Sequence, residues 1–163
     1  MVYGIMDGAS HEFYTYIHDV FPAIQNAQNH YNWLITDCCC NMSNPIEEEI
    51  QRRGYCWIPG EALTAFAEQD NTQWICAVFS GFEKDIPLET ILEYPLPIWE
   101  HPGYWRSPLV LQHPLAAVEI VPFDSSCTLL LSKNRKLISD YRQAYPRSQD
   151  LIKYNSRERR DPR

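Results

Sequence analysis

The sequence predicts an α+β fold, a single domain in which a central, mostly antiparallel sheet of about five or six strands carries helices packed on it. Three observations lead there. Strand-like runs alternate with amphipathic stretches along 163 residues, close to the usual length of one domain. Hydrophobic residues make up 45% of the chain and aromatics 13%, enough for one sizeable core. Residues 116–121 and 127–131 are two apolar runs flanking Pro122-Phe-Asp-Ser-Ser126, whose Asp and Ser side chains bond nearby amides and close a tight turn. Such a hairpin pairs antiparallel.

Taken in order, residues 2–6 read as a short strand ending at the Asp7-Gly8 turn. Ser10 is the expected N-cap of a helix, because Phe13, Tyr16, Ile17, Val20, Phe21 and Ile24 recur every three or four residues; Pro22 must kink or end it. Aromatic and branched residues make 31–36 a strand. Asn44-Pro45-Ile-Glu47 has the marks of a helix start, a capping side chain followed by proline at the first helical position, and the helix is expected to run through Arg52. Residues 55–58 look extended, Pro59-Gly60 turns, and 61–68 form a short amphipathic helix. The run 73–79 is apolar on both sides, as a covered central strand requires. A helix over 87–94 leads into an irregular segment, 95–114, with five of the chain's 12 prolines. After the hairpin, Asn134 starts a helix with Leu137, Ile138, Tyr141 and Tyr145 on one face, ending before Pro146. The domain is expected to span 1–154, with a basic C-terminal tail at 155–163.

Charge narrows the function classes. The formal net charge is −7, and without the last nine residues 10 basic and 19 acidic residues leave −9. An acidic body repels the phosphate backbone, so no direct nucleic-acid binding is expected. No window approaches the roughly 18 apolar residues of a membrane span, and the first residues lack a secretory pattern, so a cytoplasmic protein without membrane contact is expected. Of six cysteines, three are adjacent (Cys38, Cys39, Cys40) and Cys56, Cys76 and Cys127 sit in apolar runs. With no C-x-x-C and scattered histidines, they are expected to be reduced thiols, with no metal and no cofactor. No catalytic or nucleotide-binding motif is present.

The expected role is therefore binding another protein, a basic toxin such as a nuclease being the partner such an acidic surface suits. The candidate contacts are Glu47, Glu48, Glu49, Glu89, Glu93 and Glu100, for their charge, and Trp99, Tyr104 and Trp105, the aromatics of the irregular segment. The acidic run at 47–49 equally suits the positive end of its helix. Two alternatives stand beside this one: a small thiol-dependent or hydrolytic enzyme using the cysteine run, and a phage or mobile-element accessory protein docking on a host complex.

The C-terminal third, Val118-Glu-Ile-Val-Pro-Phe-Asp-Ser-Ser126, Thr128-Leu-Leu-Leu-Ser132, the following helix, and Tyr145-Pro146 with Asp150-Leu151, resembles the ending of small bacterial proteins, some of which are immunity proteins of polymorphic toxin systems. Tyr31-Asn-Trp-Leu-Ile35 is similar to a strand in such chains. The resemblance covers about a third of the chain and implies a toxin inhibitor, not an enzyme; it transfers no functional residue.

Overall fold

The computed structural model describes residues 1–158 as one α+β domain. Its sheet has seven strands: β1 (Tyr3–Asp7), β2 (Tyr31–Cys40), β3 (Tyr55–Pro59), β4 (Trp74–Glu83), β5 (Val118–Phe123), β6 (Cys127–Ser132) and β7 (Gln149–Asp150). They lie in the order β3-β2-β4-β5-β6-β1-β7, and every neighbouring pair is antiparallel. Both faces are covered, which is why β4 and β6 are apolar on both sides.

Six α-helices are present among the described residues: α1 (Ile17–Ala23), α2 (Pro45–Arg53), α3 (Gly60–Gln69), α4 (Leu88–Ile91), α5 (Arg135–Ala144) and α6 (Leu151–Glu158). On the first face α1, α2, α3 and α5 bury Val20, Phe21, Ile46, Leu63 and Leu137 against Trp33, Trp74, Phe79 and Leu130. On the second face α6 and the irregular segment lie over Leu34, Phe82, Val121 and Leu131. The period-two alternation of each strand divides these two cores.

Local chemistry explains the boundaries. The α2 start is capped by Asn44 Oδ1, which accepts from the amides of Ile46 and Glu47, and Gly54 closes the helix at φ 90°. The hairpin turns through Asp124 and Ser125, both at positive φ, and pairs Val118–Phe123 with Cys127–Ser132 in unbroken register. Gly60 is fixed by space: a Cβ there would meet the Gln28 carbonyl oxygen at 2.0 Å.

The structure corrects the expected first helix. Ser10 does not cap it; Asp7 Oδ1 accepts from the Ala9 and Ser10 amides and the Ser10 hydroxyl, locking a turn, and Thr15 then exchanges backbone hydrogen bonds with Trp74. The helix begins at Ile17, and Phe13 is left 58% exposed. The helix expected over 87–94 is a single turn. Residues 155–158, assigned from sequence to the tail, belong to α6, where buried Asn155 donates to the carbonyls of Tyr104 and Arg106. Positions 159–163 lie outside the described residues.

Candidate functional site

The irregular segment is held down by a buried polar network. Glu119, on β5, points beneath it and is fully buried. Its carboxylate accepts the His113 amide at 3.1 Å and faces the Tyr104 hydroxyl at 3.4 Å; Gln112 donates to that hydroxyl and to the Ile98 carbonyl. Burial pushes the Glu119 carboxyl up to about 7, against the lowering effect of the His113 and Gln112 amides. The His113 imidazole bonds Ile91 O at 2.9 Å and, largely through burial, sits below its usual pKa. Thr36 donates to Pro97 O, and Asp37 accepts the Trp99 amide, pinning the segment's first half to β2.

Thus anchored, the segment and the residues that lead into it from α4 present apolar side chains outward. Leu92, Tyr94, Leu96 and Ile98 are 37–49% exposed. Tyr94, Leu96 and Ile98 share a shallow depression of about 320 Å³ with His101 and Pro114. Glu89, Glu93 and Glu100 are exposed beside this stripe in sequence, and none has a Lys or Arg partner within 4.0 Å among the described residues. Trp99 and Trp105 are half-buried, each meeting Phe123 edge-on with ring centroids 5.1 Å apart. Tyr104 needs correction as a surface candidate: with no exposed area, it is a core residue anchoring the segment through its hydroxyl. The exposed apolar side chains escape sequence reasoning, because a proline-rich stretch gives no periodicity to show which residues face out.

The other acidic candidates lie elsewhere. Glu47, Glu48 and Glu49 are on α2, which packs on the first face, whereas Leu88 and Ile91 of α4, beside Glu89 and Glu93 in sequence, pack on the second. Glu49 is paired with Arg52 and Arg53, and the Arg52 hydrogen bond lowers its pKa. Ser43 donates to Glu48. Glu47 instead turns toward the cysteines.

That turn depends on a bulge. The β2–β4 register runs Thr36↔Val78 and then Cys39↔Cys76, one extra residue on β2, with Asp37 at φ 51°. An inserted residue exchanges the faces of the residues beyond it. Tyr31, Trp33 and Ile35 face the first core, and beyond the bulge so do Cys38 and Cys40, while Cys39 is exposed. Cys38 Sγ, Cys40 Sγ and a Glu47 carboxylate oxygen consequently lie within 4.8 Å of one another. The sequence predicts no convergence of thiol ligands; the C-x-C spacing is the available signal, and the bulge that turns it toward α2 is not legible. A hydrogen bond from Cys40 lowers the Cys38 thiol and raises that of Cys40, so the pair gives up its first proton from Cys38. Burial drives Cys56, Cys76 and Cys127 the other way, to about 11, 12 and 11, which leaves them inert.

Among the described residues no helix is long and apolar enough to cross a membrane. No family model matches the chain, and neither a curated protein nor a solved structure matches it.

Proposed function

We propose that the protein is a protein-binding inhibitor that covers the basic active-site face of another protein, in the manner of an immunity protein neutralising a cognate toxin such as a nuclease. The observation that carries this reading is the exposed apolar stripe Leu92, Tyr94, Leu96 and Ile98, running from the end of α4 into the anchored segment, with Glu89, Glu93 and Glu100 along it and without a Lys or Arg partner among the described residues. Apolar side chains with carboxylates beside them supply both parts of a tight interface: a desolvated centre that slows dissociation, and a charged surround that speeds encounter with a basic partner. Anchoring by Thr36, Asp37 and Glu119 means little ordering remains to be done on binding.

The test is association kinetics with the protein encoded beside it, at several salt concentrations. Association should slow as the Debye length falls from about 30 Å at 0.01 M to about 10 Å at 0.1 M, while dissociation changes less. Reversing Glu89, Glu93 and Glu100 to Lys should slow association; Leu96→Asp with Ile98→Asp should hasten dissociation. A salt-independent association rate removes the electrostatic argument, and no binding removes the reading.

A further inference from the structure

We propose that Cys38, Cys40 and Glu47 form a binding site for a thiophilic divalent cation, zinc being the metal whose ligand preferences they meet. A tetrahedral zinc site with Zn–S bonds of about 2.3 Å and Zn–O bonds of about 2.0–2.2 Å places ligand atoms roughly 3.5–3.8 Å apart. The three donor atoms here already lie within 4.8 Å, so side-chain rotations of an ångström or so complete the geometry. Two thiols release their protons to solvent on binding, two thiolates and one carboxylate enclose the ion, and the fourth position is left to water.

Two rigid elements fix the donors. The bulge at Asp37 sets Cys38 and Cys40 on the same face of β2, and the Asn44 cap holds the first turn of α2, from which Glu47 projects. Sites built on strands and capped helices keep their ligands placed better than sites on loops.

An independent observation points to the same spot. Asn44 is only 4% exposed, and while its Oδ1 serves as the helix cap its buried Nδ2 makes no hydrogen bond of full geometry among the described residues and only approaches the Cys40 sulfur. A buried amide donor without an acceptor is costly, and such groups call for an explanation. The donor faces only Cys40, whose neutral thiol is a weak acceptor. A metal-bound thiolate at Cys40 supplies the acceptor, with Asn44 as the outer hydrogen bond that metal ligands commonly receive. The positive end of α2 offsets the remaining negative charge of the ligand set.

The experiment uses the full chain, reduced and stripped with chelator, and then titrated with cobalt(II) and with zinc(II). One equivalent of cobalt should bind with a thiolate-to-metal charge-transfer absorption, and zinc should displace it and raise the melting temperature. Cys38→Ser and Cys40→Ser should each weaken binding by at least about tenfold, and Glu47→Gln should weaken it while keeping the thiolate absorption. Cys39→Ser, exposed and on the opposite face, should bind like the wild type. Should the serine variants fail to fold, Glu47→Gln and Cys39→Ser still decide the matter. Absence of the charge-transfer band in the wild type overturns the site, as does a loss in Cys39→Ser equal to that in Glu47→Gln.

Discussion

Replacing Glu119 by Gln should make the protein more stable relative to wild type at pH 8 than at pH 5, by about 2 to 3 kcal/mol. The Glu119 carboxyl rises from 4.5 to about 7 on folding, chiefly through burial. The folded state therefore holds this proton more tightly than the unfolded state does. Its contribution to stability is fully present below pH 4.5, is lost as pH rises, and has gone above pH 7. At about 1.36 kcal/mol per pH unit the whole loss is about 3 kcal/mol, and most of it falls between pH 5 and 8. A glutamine in place of Glu119 carries no charge at either pH; its carbonyl still accepts the His113 amide and its NH2 can donate to the Tyr104 hydroxyl, so the variant lacks this dependence. Burial depresses His113 and His101, which act in the opposite sense, costing stability as pH falls. Both remain in the variant and cancel in the comparison. Urea unfolding of both proteins at the two pH values gives the double difference. A value within about 0.5 kcal/mol of zero would refute the account of Glu119 as a carboxyl that folding keeps protonated.

Three further outcomes rest on packing. Gly60→Ala should cost at least about 1–3 kcal/mol in urea unfolding, since its methyl group would overlap the carbonyls of Gln28 and Tyr31. Asn155→Ala should cost about 1–3 kcal/mol, seen as a melting temperature lower by several degrees, because the buried Tyr104 carbonyl and the partly buried Arg106 carbonyl lose their donor; deleting 155–163 should do at least as much, whereas a free tail would leave the melt unchanged. Tyr104→Phe should cost about 1–3 kcal/mol and increase hydrogen exchange along 95–114, as Gln112 and Glu119 lose the hydroxyl between them.

What the sequence made legible was local. Asn44-Pro45 announced α2 because a cap and a first-turn proline act within four residues, and the 116–132 hairpin came from turn chemistry between two apolar runs. The misplaced first helix failed for a tertiary reason: its stripe from Phe13 is genuine at Ile17, Val20 and Phe21, but Asp7 and Trp74 claim the backbone before it. The candidate surface was legible as charge and not as place. Glu47 to Glu49 and Glu89 to Glu100 read alike in sequence, yet α2 packs on the first core while Leu88 and Ile91 of α4 belong to the second. Tyr104 resembled its neighbours Trp99 and Trp105 until Glu119, fifteen residues later, gave its hydroxyl a buried partner. The cysteine arrangement hid behind one residue, since a bulge has no marker in composition and reverses which side chains face α2.

The place of β1 sets a timetable for folding. Its neighbours are β6 and β7, so Ile5, among the most deeply buried side chains, has no strand to lie against until residue 132 has been synthesised. Strands β2, β3 and β4, by contrast, are neighbours within residues 31–83 and can assemble while the rest of the chain is still being made. At about 5–20 residues per second the first strand waits about 6 to 25 seconds, an apolar edge that must avoid other chains meanwhile. Long-range closure of this kind slows folding. Weakening the 118–132 hairpin should therefore harm the yield of folded protein in the cell more than its measured stability suggests, because it is the hairpin that brings β1 into the sheet.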